Sequence, residues 1–194
     1  MKVLLHHGLT EGQRREAARL YWRAFGAKLG RVMGPEAKAM AFIERVIDPD
    51  HVIAAVDMRG HVLGVIGFRT RNGAFVGGDH SDLRRVYGRF GAFWRGMALQ
   101  ALAQDQPQDT LCIDGFAVAE TVRGMGLGAA LLEALCAEAQ AQGYGVVRLD
   151  VVDENLRARA LYDRLGFAVT GRADRWLTAL VFGYRTAVAM ERRV

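Results

Sequence analysis

The spacing of apolar residues changes once within the first seventy positions. Residues 11–29 and 37–46 repeat apolar side chains every three or four positions, which predicts two helices. Residues 51–57 and 61–70 are rich in β-forming side chains, and the sequence Met58-Arg59-Gly60 between them predicts a hairpin. We therefore expect two helices followed by an antiparallel strand pair.

A third helical pattern follows, and glycines interrupt it. Gly88, Gly91 and Gly96 each cost about 1 kcal/mol relative to alanine inside a helix, so the pattern predicts a long helix or a broken one. Four arginines, Arg84, Arg85, Arg89 and Arg95, are interpreted as a solvated face rather than as a site for an acidic partner. The apolar stripe comprises Leu83, Val86, Tyr87, Phe90, Trp94, Met97, Ala98, Ala101 and Leu102.

The C-terminal half of the chain alternates strands and helices. The pattern predicts strands over 111–118, 146–152 and 167–170, helices over 127–142 and 155–165, and two further strands within 176–190. A strand, a helix and a second strand in this order predict a parallel pair joined by a right-handed crossover in a mixed sheet.

Composition narrows the class of protein without choosing a function. The 194 residues fit one domain spanning 1–194, and no apolar run is long enough to cross a bilayer. Cys112 and Cys136 lie in apolar patterns, so we expect buried free thiols and a cytoplasmic location. The net charge of +5 favours anions, whether a phosphorylated cofactor, an acidic substrate or nucleic acid.

The segment Arg123-Gly124-Met125-Gly126-Leu127-Gly128 lies between a predicted strand and a predicted helix. The first N–H groups of a helix lack partners within the helix and carry partial positive charge, so such a loop suits phosphate. The segment also satisfies a dinucleotide-binding pattern, but too little chain follows residue 167 for the further strand–helix units of that fold. A glycine turn that only permits close packing is the structural alternative.

A second motif follows the next predicted strand: Asn155-Leu156-Arg157-Ala158-Arg159-Ala160-Leu161-Tyr162-Asp163-Arg164-Leu165-Gly166-Phe167. Together with the glycine loop it resembles the GNAT superfamily of acyl-CoA-dependent N-acetyltransferases, closely over 111–167 and in pattern before that. The resemblance implies an α/β (α+β) fold. Its mixed, partly antiparallel sheet would have six or seven strands, a splayed parallel central pair and flanking helices. Glu120 departs from the family, in which proline is common at this position.

The resemblance also implies where acetyl-CoA would bind. Backbone groups around Phe116 and Val118 would pair with the pantetheine arm, and Asn155 would hydrogen-bond it while also serving as a helix cap. The pyrophosphate would be bound by the glycine loop through Arg123, Gly124, Met125, Gly126, Gly128 and Ala129.

Two side chains are candidates for proton transfer. Tyr162 occupies the family position for the acid that protonates the departing thiolate, although the same spacing suits a core tyrosine. Asp114 precedes Phe116 by two residues, which predicts the same strand face. It is a candidate base, and orienting the strand or pairing with an arginine are equal alternatives.

The sequence thus predicts transfer of an acetyl group from acetyl-CoA to a primary amine of a small molecule or a protein. A non-catalytic acyl-CoA-binding module of the same fold is the alternative. We expect no metal, no nucleic-acid partner and no membrane partner, and a homodimer is one assembly that the sequence leaves open. The acceptor pocket would be built by the first two helices and the insertion over 77–104.

Overall fold

One mixed sheet with helices on both faces makes up the computed structural model, which describes residues 2–100, 107–174 and 186–194. Its strands are β1 (Val3–His7), β2 (Val52–Asp57), β3 (Val62–Thr70), β4 (Gly73–Ala74), β5 (Thr110–Val118), β6 (Val146–Val152), β7 (Ala168–Asp174) and β8 (Thr186–Arg193). Its helices are α1 (Glu11–Met33), α2 (Glu36–Val46), α3 (His80–Gln100), α4 (Leu127–Ala141) and α5 (Leu156–Arg164).

The strand order is β1-β2-β3-β5-β6-β8-β7, and the two-residue β4 pairs with β3 beside this path. Neighbouring strands are antiparallel except β5 and β6, which are parallel. The predicted mixed sheet, its hairpin and its central parallel pair are therefore confirmed. The insertion of β8 between β6 and β7 was not predicted, because periodicity carries no information about which strands become neighbours.

The parallel pair separates soon after it begins. Pairing between β5 and β6 runs only from Thr110 opposite Val146 to Cys112 opposite Arg148. Beyond this point β5 continues along β3, and β6 continues along β8 over its whole length. The register between β3 and β5 shifts so that Asp114 is an extra residue, a β-bulge that bends the strand. The expected splay is thus present.

Each face of the sheet carries its own apolar core. One core joins α1, α2 and α3 to the sheet, and the other joins α4 and α5 to it. Glycines with positive φ follow the last two helices, Gly143 after α4 and Gly166 after α5, where a left-handed residue commonly ends a helix. Cys112 and Cys136 are buried free thiols, also as predicted.

The α3 segment departs from the predicted single stripe. Gly88 has φ 73° and ψ 177°, which breaks the helix there. Leu83 and Tyr87 are buried before the break, whereas Phe90, Trp94 and Met97 are exposed after it. The single stripe was wrong because the break changes the rotation of the second half. Ala101, Leu102 and the predicted strand beginning at Trp176 lie outside the described residues.

Gly67 on β3 provides a test of how tightly the core packs beside the bulge. A Cβ at this position would overlap the ring of Phe75, which is completely buried. We expect Gly67→Ala to lower the free energy of unfolding by about 2 kcal/mol or more, because the ring has no free space to enter. Denaturant unfolding measures the change.

The matched control for this variant is Gly12→Ala. A Cβ at Gly12 in α1 would meet nothing within 4 Å, and alanine favours the helix. Its unfolding free energy should be equal to or above that of the native chain. Equal stability of the two variants would contradict the packing described around Phe75.

Candidate functional site

The glycine loop ends in an uncapped helix. Gly126 is the N-cap of α4 in a left-handed conformation, no side chain caps it, and the first turn contains no acidic residue. The first bond of the helix runs from the Ala130 N–H to the Gly126 carbonyl at 3.1 Å. The N–H groups of the first turn therefore point out of the helix end without a partner inside it, as an anion-binding helix end requires.

Backbone conformation explains two of the loop glycines. Gly124 and Gly126 have φ of +84° and +81°, and a Cβ on either would meet nothing within 4 Å. Glycine is therefore favoured at both positions by the left-handed backbone conformation, which residues with a side chain rarely adopt. Gly128 differs, because a Cβ there would lie 3.4 Å from both the Leu161 and the Phe116 side chains. Gly128 thus lies where α4 contacts both β5 and α5.

Arg123 ties the loop to the end of β5. Its Nε donates to the Val118 carbonyl at 3.1 Å, and its Nη1 lies 3.3 Å from Glu120 Oε1. The ion pair is solvated, so it contributes little stability. The guanidinium thus lies beside the start of the loop and already has two partners.

The edge of β5 that faces β6 is open beyond Cys112. The Ala119 N–H, just after β5, donates to the Leu63 carbonyl of β3 at 2.8 Å. Because backbone groups alternate along a strand, those of Phe116 and Val118 face the opposite edge, towards the gap. Among the described strands, β6 pairs with β5 only up to Arg148, so this edge has no strand beside it. The Val118 carbonyl is the one group there that Arg123 already uses.

Tyr162 of α5 lies on the α4 side of the sheet, against the open edge. Its ring centroid is 6.4 Å from that of Phe116 and 6.0 Å from that of Phe167. Burial raises the pKa of Tyr162 to about 12, and its hydroxyl makes no hydrogen bond to another described residue. The phenol is therefore neutral around pH 7 and has a proton to donate.

Asn155 caps α5. Its Oδ1 accepts the N–H of Ala158 at 3.2 Å, and the residue is exposed. The expected capping is confirmed. The side-chain NH₂ is a separate donor group that capping does not use.

A model of the Acetyltransferase (GNAT) family matches residues 14–167, a span that includes the uncapped loop, the splayed strands and the Tyr162 helix. The chain belongs to the GNAT acetyltransferase family. No protein among the curated sequences matches it.

Solved structures share its fold at low sequence identity. An N-acetyltransferase from Staphylococcus aureus Mu50 superposes with a TM-score of 0.71 at 15% identity, covering 97% of this chain and all of that one. The ribosomal-protein-S18-alanine N-acetyltransferase from Escherichia coli has a TM-score of 0.58 at 15% identity, covering 100% of this chain and 94% of its own. The NatC complex bound to Gag peptide and CoA contains a chain with a TM-score of 0.61 at 16% identity, and the match covers 100% of this chain and 99% of that one.

The GNAT family uses acetyl-CoA, and two features of this chain fit that molecule. The uncapped start of α4 suits the diphosphate, and the open edge of β5 offers backbone donors and acceptors to an amide-bearing arm. Among the described residues, no group of three His, Cys, Asp or Glu side chains is arranged to hold a metal ion.

Asp114 lies on the opposite face of the sheet from Phe116. Its Oδ2 accepts the Val76 N–H at 3.1 Å, and it lies close enough to Tyr21 of α1 to influence the pKa of that phenol. Phe116 instead packs in the core of α4 and α5. The predicted shared face was wrong, because the bulge at Asp114 inserts a residue and reverses the alternation of side chains.

The surroundings of the Asp114 carboxyl change its pKa. Burial raises its pKa, and the Val76 hydrogen bond together with the charges of Arg69 and His51 partly opposes that rise. A carboxyl with a raised pKa is closer to the pH range in which it can accept a proton reversibly.

Sequence reasoning missed the aromatic wall beside Asp114. A Cβ on Gly115 would lie 2.7 Å from the Tyr21 ring, so this glycine lets α1 pack against the bulge. Tyr21 also packs against Phe25, with ring centroids 4.6 Å apart and the rings tilted by 41°. Glycine inside a strand pattern is a recognised sign of a bulge, and Asp114-Gly115 carried that signal. No local sequence pattern indicated that Tyr21 would pack against this bulge.

Proposed function

We propose that this chain transfers an acetyl group from acetyl-CoA directly to a primary amine. One juxtaposition supports the proposal most strongly. The uncapped start of α4 and the open edge of β5 adjoin each other, and Tyr162 and Asp114 flank that edge from opposite faces of the sheet.

Binding would use the loop and the strand edge. The N–H groups of Met125, Gly126, Gly128 and Ala129 would hold the diphosphate, with Gly124 shaping the turn and Arg123 at its entrance. Backbone groups of Phe116 and Val118 would hydrogen-bond the pantetheine arm. The side-chain amide of Asn155 would add a further hydrogen bond to the same arm. Bound acetyl-CoA supplies an activated thioester whose carbonyl carbon accepts a nucleophile.

The chemistry then requires charge stabilisation and two proton movements. A backbone N–H of β5 at the bulge would donate to the thioester oxygen as negative charge develops there. Tyr162 would donate its proton to the departing sulfur, and its raised pKa keeps that proton in place until it is needed. Asp114 would accept the proton that the neutral amine loses as the new C–N bond forms, directly or through water, on the α1 side.

The acceptor would approach from the α1 side. Tyr21 lies beside Asp114 and packs against Phe25, so aromatic side chains border the carboxyl on this side. Such a wall suits an amine with an apolar substituent, since desolvation favours the neutral form of the amine, which alone is nucleophilic. Structural relatives are described as acting on a ribosomal protein alanine and as binding a peptide. We therefore include a protein N-terminus, beside small-molecule amines, among the acceptors to test.

Replacing Gly126 by aspartate should abolish acyl-CoA binding. The carboxylate would lie where the diphosphate binds, and we expect affinity to fall on the order of 100-fold or more through like-charge repulsion. Calorimetry with coenzyme A measures this affinity. Gly143→Asp is the matched control, because Gly143 has nearly the same φ, +82°, at the other end of α4. Loss of binding in both variants, or in neither, would contradict the loop assignment.

Tyr162→Phe should lower kcat by about 100-fold, because it removes the proton donor and leaves the ring contacts with Phe116 and Phe167 intact. Release of free thiol from acetyl-CoA with a panel of amines gives the rate, and coenzyme A affinity should hardly change. Tyr87→Phe is the control, because its hydroxyl donates to the Met33 carbonyl away from the gap. Unchanged turnover would remove Tyr162 from the mechanism. Cofactor binding by the native chain without thiol release would favour the non-catalytic module.

Asp114 should govern the acidic side of the pH–rate profile. Because its pKa is raised, the carboxylate form needed by a base appears only above the ordinary aspartate range. We expect kcat/KM of the native chain to rise with pH through that pKa, and Asp114→Asn to lose this rise. Asparagine keeps an oxygen for the Val76 N–H and introduces no charge, so stability near pH 7 should not fall. Superimposable profiles would exclude Asp114 as the base.

A further inference from the structure

The second half of α3 exposes large apolar side chains on its outer side. Phe90, Phe93, Trp94 and Met97 are 94%, 65%, 43% and 62% exposed. Their spacing of three and four residues places them in one stripe. The opposite side of the same segment faces the core, where Ala92 is completely buried and Leu99 packs on the α1 and α2 cluster. This half-helix is thus apolar on both sides.

The outward direction of the stripe is fixed by Arg95. Its guanidinium donates to the Gly34 carbonyl beyond α1 at 3.0 Å and to the Gly91 carbonyl at 3.2 Å. It also lies over the rings of Tyr87 and Trp94, 4.0 and 4.2 Å from their centroids. These contacts join the second half of α3 to the body of the protein, so the stripe cannot simply rotate inward.

Arginines adjoin the stripe. An open pocket of 360 Å³ is lined by Ser81, Arg84, Arg85, Gly88 and Arg89. The three arginines are exposed, and none forms an ion pair in the part of the chain that is described. Arg89 lies one helical turn before Phe93, so the basic and apolar parts form one continuous surface. We call this surface, Arg84, Arg85 and Arg89 with Phe90, Phe93, Trp94 and Met97, the α3 outer face.

The acidic groups near this surface are already engaged. Asp82, the only carboxylate in α3, is 2.7 Å from Arg45 of α2. Asp79 accepts the N–H groups of Ser81 and Asp82 at the start of the helix. The α3 outer face therefore has a positive charge that its own neighbours leave uncompensated.

We propose that the α3 outer face docks on an anionic lipid surface. Guanidinium groups beside exposed phenylalanine and tryptophan on one helix suit a bilayer interface, where phosphates and the acyl boundary lie at adjoining depths. The surface extends across the break at Gly88, with the arginines on both sides of the break and the large apolar side chains after it, and a planar lipid layer needs no apolar groove. A second copy of the chain would bring another net charge of +5, and α3 offers it no free carboxylate.

The proposed contact is with one surface of a bilayer and does not involve crossing it. No described helix combines the length and apolar character needed to cross a bilayer. The expectation of no membrane partner was based on spanning segments, and the outward stripe could not be read from the sequence. The proposal does not depend on acetyl transfer.

Co-sedimentation with vesicles tests the proposal directly. The native chain should bind vesicles of equimolar phosphatidylglycerol and phosphatidylcholine and should not bind pure phosphatidylcholine, and added salt should weaken the binding. The double variant Phe90→Ser, Phe93→Ser and the double variant Arg84→Glu, Arg89→Glu should each reduce the partition coefficient by about tenfold or more. On the anionic vesicles, native fluorescence should shift to shorter wavelength, and Trp94→Phe should remove most of that shift while retaining binding.

Matched controls use exposed residues elsewhere. Met58→Ser removes an apolar side chain that is 62% exposed, and Arg71→Glu reverses an exposed charge. Both should bind vesicles like the native chain, and every variant should keep its unfolding midpoint. A native chain that stays in the supernatant, or serine variants that bind like it, would overturn the proposal. Concentration-dependent dimerisation that the serine variant abolishes, without vesicle binding, would assign the surface to a second copy instead.

Discussion

The separation of β5 from β6 after Cys112 is the constraint on which the candidate site depends. Three residue pairs hold the strands together, and the bulge at Asp114 then bends β5 away while β6 stays paired with β8. Closure of this gap would satisfy the backbone groups of Phe116 and Val118 within the sheet, leaving nothing for a ligand. The bulge thus converts part of a central strand into an edge inside the sheet, where backbone hydrogen bonding is available.

The same bulge divides the chemistry between two faces. Asp114 lies on the α1 side with Tyr21, while Phe116 and Tyr162 lie on the α4 and α5 side. Burial raises the pKa of both acids, with different consequences. The phenol is held more firmly in its neutral, donating form, and the carboxyl moves towards the range in which it can exchange a proton near neutrality. The proposed acyl transfer to an amine would use the phenol as proton donor and the carboxylate as proton acceptor, on opposite sides of one gap.

The α3 segment forms a different part of the molecule. Gly88 breaks α3, its first half completes the core with Leu83 and Tyr87, and its second half is held by Arg95 with its aromatic side outward. One amphipathic pattern in the sequence therefore yields two surfaces. The buried one supports α2, and the exposed one carries the arginines and aromatic rings of the α3 outer face.

Features made by neighbouring residues were predictable from the sequence. The hairpin, the glycine loop, the start of α4 and the Asn155 cap depend on local spacing and turn chemistry. The parallel pair follows from the crossover rule for a strand, a helix and a second strand, and the structure has each of these features. Tertiary structure alone decided the position of β8 between β6 and β7, the face on which Asp114 lies, and its proximity to Tyr21. These depend on one extra residue in a strand register and on packing between distant segments. Local periodicity records the hydrophobic face of an element, but it does not record the neighbour that covers that face.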